Sequence, residues 1–291
     1  MTSILSPGYR IVKLASGARS IQDLDCGETF HPVIGPVAEA KALYVEQMRL
    51  PDRLRVATGE FVIWDVGLGA AANPLTILAA TRAIPGKIRI ISFEKTLEPL
   101  RFAVEHGEEL GYFAGYESTV AGLLQDGAAD FTNGFQTVKW EVHLGDFPTL
   151  LRNAVAELPL RSFPAPHAIL FDAYSPARNP AMWTLPLFHD LFQMLKPDRP
   201  CAMPTYSRST MLRVTLLLAG FYVGAGHATG EKEETTIAAN TLALIDQPLD
   251  CKWLARTERS TSAEPMVEAV YRQAPISPKT RELLSVHPQF R

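Results

Sequence analysis

From Phe61 onward, short and almost wholly apolar runs alternate with longer stretches whose apolar residues recur every three or four positions. The runs are FVIWDVG from Phe61, IRIISFE ending at Glu94, VKWEVHL ending at Leu144, HAILFDAY ending at Tyr174, Cys201 to Tyr206, FYVGAG from Phe221 and TLALID ending at Asp246. Runs this short, bounded by turn formers, fit strands buried on both faces, and the amphipathic stretches after Asn73 and from about Glu98 fit helices. This rhythm predicts βαβ units and an α/β fold built on a mostly parallel sheet of about seven strands. The stretch from Leu97 to Thr137 is long for one crossover. It is expected to hold two helices, followed by a loop from Gln125 to Gly134.

Before Phe61 the texture differs. Tyr9 to His31 carries two β-prone stretches around Ala15-Ser16-Gly17-Ala18, and Gly35-Pro36 opens a helical pattern ending near Leu50. The expected organisation is a small N-terminal β/helix cap over 1–58, a main ligand-binding domain over 59–250, and a tail over 251–291. The tail mixes charge, Pro and Ser without clear periodicity, so its first part is expected to pack and its end to fray.

Composition narrows these possibilities. An apolar share of 47% with 20% charged residues is globular, not fibrous or disordered. The formal charge of −3 gives no chain-wide positive field, so a nucleic-acid partner would need a local basic patch. Cys26, Cys201 and Cys251 are scattered and odd in number, against a disulfide framework, and His31, His143 and His167 share no metal spacing; no metal is expected. The N-terminus lacks a signal-peptide pattern, and the longest apolar run, Val214 to Gly226, is shorter than the roughly 20 residues that cross a bilayer. A soluble cytoplasmic protein without membrane contact is the expectation.

Chemistry enters at the strand ends. Asp65-Val66-Gly67-Leu68-Gly69 lies where an apolar strand gives way to a helix, and glycines there allow close backbone approach to a ligand. Alone, it is equally a plain turn, or a dinucleotide fingerprint completed by Ala72. Glu94 ends the second strand, where a carboxylate can accept from both hydroxyls of a ribose, or simply pair with Lys95 on the surface. Gly145-Asp146 ends the third, where a carboxylate can accept from an adenine amino group. Asp172-Ala173-Tyr174-Ser175-Pro176 ends the fourth. Asp65, Glu94, Asp146 and Asp172 thus stand at the carboxyl ends of four successive expected strands, the edge at which open α/β sheets bind ligands. An adenosine-bearing cofactor follows. An acidic ring suits the cationic sulfonium and ammonium of S-adenosylmethionine better than a pyrophosphate, and no P-loop lysine follows the glycines.

These motifs resemble the methyltransferase domain of MnmC, the bacterial family of tRNA wobble-uridine modification, and its stand-alone relatives. The resemblance runs from Gly27-Glu28-Thr29-Phe30-His31, Val37-Ala38-Glu39-Ala40 and Tyr44-Val45-Glu46 through DVGLGAAAN, ISFEK and HLGD. It continues through FDAYSPARNPAMWTLPLF (Phe171 to Phe188) to Thr205-Tyr206-Ser207, Arg213 and Ala219-Gly220-Phe221, covering roughly residues 10 to 245 in order. It implies a Rossmann-like fold of the class I methyltransferase type and an enzyme that moves a methyl group from S-adenosylmethionine to the exocyclic amine of an aminomethyl-uridine in tRNA. It further implies that Asp65, Gly67 and Gly69 line the methionine part, with Glu94 on the ribose and Asp146 on the adenine. Asn73 and Lys95 count among the cofactor-contacting positions, and Asp172 and Tyr174 would face the acceptor amine. Two departures stand out: Ala70-Ala71-Ala72-Asn73 replaces the usual Thr-Gly-Leu-Asn, and acidic Glu231-Lys232-Glu233-Glu234 lies where the family tends to be basic. No second Gly-x-Gly-x-x-Gly follows Asp246, so a fused flavin-dependent oxidase is not expected.

In this reading Asp172 orients a neutral amine and takes its proton, and Tyr174 shapes the slot and offers its ring face to the sulfonium. Without that role, Asp172 reads as a helix cap or loop carboxylate and Tyr174 as packing. Trp183 and Phe188 read as packing, and Arg178, Arg208 and Arg213 as either RNA-phosphate ligands or, by default, solvated surface. Alternatives in the same fold are an aminopropyltransferase of the spermidine synthase kind and a small-amine methyltransferase. A third alternative is a non-catalytic S-adenosylmethionine-binding module.

Overall fold

The computed structural model describes residues 8–160, 162–229 and 233–291, so Glu231 and Lys232 of the acidic run lie outside the described residues. The chain divides into two compact units, the first running through Gly145 and taking in Thr229, the second covering Asp146–Ala228 and Glu233–Arg291.

The first unit opens with an antiparallel hairpin, β1 (Tyr9–Lys13) and β2 (Arg19–Asp23). Helix α1 (Pro36–Ala40) follows Gly35, whose φ of +90° suits only glycine and whose Cβ, if present, would fall against Ala18. A π-helical turn (Lys41–Glu46) and α2 (Leu50–Val56) complete the segment. The alternation then begins: β3 (Glu60–Val66), α3 (Ala72–Thr81), β4 (Gly86–Glu94), α4 (Glu98–Glu105), α5 (Gly107–Leu110), α6 (Glu117–Asp126), β5 (Ala128–Asn133) and β6 (Gln136–Leu144). The strands lie in the order β5-β6-β4-β3. β3 pairs parallel with β4, and β4 with β6, whereas β5 is antiparallel to β6. Phe61 to Val66 are all buried, which explains why β3 reads as a continuous apolar run and not as an alternating one.

The second unit contains α7 (Phe147–Ala156), β7 (Ala168–Phe171), a 3-10 turn at Pro180–Trp183, α8 (Leu185–Gln193), β8 (Ala202–Thr205) and α9 (Thr210–Leu218). β9 (Tyr222–Gly226), β10 (Thr235–Ala239), α10 (Cys251–Thr257) and α11 (Pro278–Ser285) follow. Its order is β7-β8-β10-β9, with β7 parallel to β8 and β10 antiparallel to both its neighbours. The fold is α/β of the Rossmann-like type.

Three expectations need correction. Beyond the N-terminal hairpin, the described residues form eight strands in place of seven, because 125–134 is not a loop: Ala128 to Thr132 alternate exposed and half-buried as an edge strand does, and Gly134 at φ +61° starts a two-residue turn into β6. TLALID is not a strand. The last strand lies earlier, at Thr235–Ala239, and is closed by Asn240, whose Oδ1 accepts from the Cys201 N–H at 2.8 Å and whose Nδ2 donates to the Lys196 and Arg199 carbonyls at 3.0 and 2.9 Å. The C-terminal end does not fray: the Gln289 side chain accepts from the Val223 N–H at 2.8 Å and donates to the Val223 and Leu249 carbonyls at 2.7 and 2.8 Å, acting as a short strand mimic. Among the described residues no helix is long and apolar enough to cross a membrane.

Candidate cofactor and acceptor site

In the first unit the register brings three strand ends level. Val66 lies opposite Phe93 and Glu94 opposite Leu144; the Gly67 N–H donates to the Phe93 carbonyl at 3.0 Å and the Gly145 N–H to the Glu94 carbonyl at 2.9 Å. The loop leaving β3 needs left-handed backbone: φ is +95° at Gly67, +50° at Gly69 and +60° at Ala71. A Cβ on Gly69 would come within 3.4 Å of the Phe30 ring, so the loop packs closely beneath the N-terminal segment. Ala71 holds the conformation for which the usual Thr-Gly-Leu-Asn supplies a glycine, and the turn survives that replacement.

Glu94 folds over this loop. One carboxylate oxygen accepts from the Gly69 N–H at 2.9 Å and the other from the Lys95 N–H at 2.7 Å. It is therefore the Lys95 backbone that holds Glu94, while the Lys95 side chain is exposed. Burial pushes the Glu94 pKa up, and the N–H groups of Gly69, Lys95 and Thr96 pull it partly back. A carboxylate offers about four acceptor positions, so with these three N–H groups on it one remains for a hydroxyl of a ribose diol. Together with a glycine turn that a side chain would obstruct, this donor and acceptor set fits an adenosine-bearing cofactor.

Asp65 sits deeper than the sequence implied. It is fully buried and accepts from the Ser92 hydroxyl at 2.7 Å; Ser92 Oγ in turn accepts from the Trp140 indole N–H at 2.9 Å. This relay crosses β6, β4 and β3 directly beneath the loop. Asn73 is buried in the first turn of α3, and the Tyr112 hydroxyl donates to the Ala70 carbonyl at 3.2 Å. Sequence reasoning passed over Ser92 and Trp140. The available signal was a hydroxyl within an otherwise apolar buried strand, which needs a partner.

In the second unit Asp146 is exposed and caps α7, accepting from the Thr149 N–H at 3.2 Å and the Thr149 hydroxyl at 2.7 Å. Asp172 and Tyr174 follow the buried β7 and are both half-buried. Their backbone is pinned twice: the Tyr206 hydroxyl donates to the Ala173 carbonyl at 3.0 Å, and the Trp183 indole donates to the Tyr174 carbonyl at 2.7 Å. Trp183 is fully buried, edge-on to Phe171 at 5.3 Å and to Tyr206 at 6.0 Å, so it packs the segment as expected. Arg213 is not solvated surface. It is 3% exposed, because its guanidinium is drawn inward by the Thr236 hydroxyl at 3.0 Å, the Thr235 carbonyl at 2.7 Å and Glu234 at 3.1 Å.

Residues 121–241 match a family model described as S-adenosyl-L-methionine-dependent methyltransferase. The chain is 30% identical over 209 residues to the tRNA 5-methylaminomethyl-2-thiouridine biosynthesis bifunctional protein MnmC of Burkholderia vietnamiensis, covering 67% of this chain and 30% of that protein. It is 28% identical over 245 residues to the protein of the same name from Aeromonas hydrophila, covering 79% and 35%. The chain thus spans about a third of the length of these relatives. The crystal structure of MnmC2 from Aquifex aeolicus shares the fold, with a TM-score of 0.68 at 22% identity over 97% of this chain and 84% of that one. The chain therefore carries an MnmC-like S-adenosyl-L-methionine-dependent methyltransferase domain.

Proposed function

We propose that the chain methylates an exocyclic amine, the aminomethyl group of a wobble uridine in cytoplasmic tRNA. The observation that carries this reading is the 30% identity, over 67% of the chain, to a protein named for making 5-methylaminomethyl-2-thiouridine in tRNA. Bound S-adenosylmethionine supplies an already activated methyl group. The chain's work is then to hold, align and deprotonate. Gly67 and Gly69 give the backbone approach to the methionine part, and Asp65 fixes the end of β3 from below through Ser92. Glu94 accepts a ribose hydroxyl. Asp146 takes the adenine amino group with the acceptor positions that capping leaves over, and Asn73 and Lys95 border the loop.

The acceptor must reach the site as a neutral amine, since an ammonium has no lone pair. Asp172 orients that nitrogen and receives its proton, while Tyr174 shapes the slot around it. The pinning of Ala173 and Tyr174 by Tyr206 and Trp183 keeps the two side chains in register. The deciding experiment transfers labelled methyl from S-adenosylmethionine to total tRNA from cells lacking this gene, beside a small-amine fraction. Label in wobble uridine is expected; label confined to small amines, or none at all, overturns the reading.

A further inference from the structure

Beyond the end of β8 the chain runs through Tyr206 into Arg208, and α9 begins at Thr210. Arg208, Thr210 and Arg213 line a cleft of about 290 Å³ with Glu234 and, from α10, Trp253 and Arg256. The floor is set: Arg213 is buried, with its charge offset by Glu234 at 3.1 Å. The rim is not neutralised. Arg208 and Arg256 are exposed, and neither guanidinium has a hydrogen-bond or ion-pair partner among the described residues. Trp253 is half-buried, whereas Trp64, Trp140 and Trp183 are fully buried. Two surplus positive charges beside an accessible indole match a ligand that is both anionic and planar, a phosphodiester with an unstacked base.

The position of the cleft adds to this match. β8 runs parallel to β7, so Arg208 leaves the sheet at the same edge as Asp172 and Tyr174, and Tyr206 links the two segments through Ala173. We infer that Arg208, Arg256 and Trp253 form a subsite for a phosphate and neighbouring base of the RNA strand that presents the acceptor amine. This rests on the tRNA reading above. It also gives a chain of net charge −3 the local basic patch that a polyanionic partner requires.

The test compares the wild type with the double variant Arg208→Gln/Arg256→Gln in methyl transfer to tRNA at several salt concentrations. The KM for tRNA is expected to rise about 10- to 100-fold, with kcat changed less than about twofold, and the log–log salt slope to fall by about 2, one for each lost phosphate contact. Binding of S-adenosylmethionine should be unchanged, and Arg208→Lys/Arg256→Lys should recover most of the lost affinity. Emission from Trp253, identified by its loss in Trp253→Phe, should be quenched by single-stranded oligouridylate. An unchanged KM and salt slope with intact cofactor binding overturns the subsite. So does quenching by polyglutamate as strong as by RNA, which would indicate an acidic protein partner, or displacement of the oligonucleotide by inorganic phosphate at equal charge. A wild type that methylates small amines but no tRNA removes the parent reading first, and this inference with it.

Discussion

The Glu94 carboxylate closes over the glycine loop by accepting the Gly69 N–H at 2.9 Å. The same group terminates β4 and braces the turn that leaves β3, so in the proposed site loop shape and ribose recognition would depend on one side chain. Glu94→Gln keeps an oxygen for Gly69 but offers the diol a weaker, neutral acceptor. Cofactor affinity should drop by about 1.5–3 kcal/mol, the range for hydrogen bonds to a charged group, as read by calorimetry.

The raised Glu94 pKa fixes the sign of the pH effects. A folded-state pKa above the unfolded value means the folded chain binds the proton more readily, so stability falls as pH rises through the interval between them and is level above it. Diol binding needs the ionised form, so affinity should weaken on acidification from a higher pH than an ordinary glutamate would give. Affinity measured against pH should show that early decline in the wild type and none in Glu94→Gln. Matching profiles would remove Glu94 from the ribose.

The relay beneath the loop gives a separate stability test. Ser92→Ala leaves the buried Trp140 indole N–H without its acceptor and takes a donor from Asp65. At about 1–3 kcal/mol for each of the two buried polar groups left unmet, the loss should be roughly 2–6 kcal/mol in chemical denaturation. Trp140→Phe removes the donor itself and should cost less on the polar side. Equal stability of Ser92→Ala and wild type would show that the relay carries no energy.

Ala71 tests how the loop tolerates a non-glycine residue at φ +60°. The left-handed conformation costs about 1–2 kcal/mol. Ala71→Gly relieves it but gives up a buried methyl, about 0.8 kcal/mol, and gains about 0.4–1 kcal/mol of unfolded-state freedom. These nearly cancel, so stability should shift by less than about 1 kcal/mol. Ala71→Val adds β-branching at a fully buried site and should lose about 2–4 kcal/mol, with weaker cofactor binding. A stable Ala71→Val would mean the loop is looser than its dihedrals indicate.

How much of this the sequence disclosed follows from which interactions are local. β3, β4 and β7 were legible because strands buried on both faces over most of their length show as nearly continuous apolar runs. β5 was not, because an edge strand such as AADFTN is half polar and resembles a loop; its one local signal was Gly134 after Asn133. The place of Gly67, Gly69 and Glu94 at or just beyond strand ends was legible because it follows from where the apolar runs stop. The depth of Asp65 and the inward turn of Arg213 were invisible, since both are set by partners on other elements, Ser92 for the first and Thr235 and Thr236 for the second.

Asp172 carries the last prediction. Its backbone neighbour Ala173 is held by Tyr206, so removing the acid need not disturb the segment. Asp172→Asn preserves size but cannot take a proton, and a positioned base contributes about 10²–10⁴ in rate. Turnover on tRNA should fall by that factor while S-adenosylmethionine still binds. Tyr206→Phe removes the hydrogen bond to the Ala173 carbonyl, about 1 kcal/mol, and should slow the reaction about fivefold. If Asp172→Asn turned over as fast as the wild type, the proton would have another destination; if Tyr206→Phe were the worse of the two, position and not basicity would be what this segment supplies.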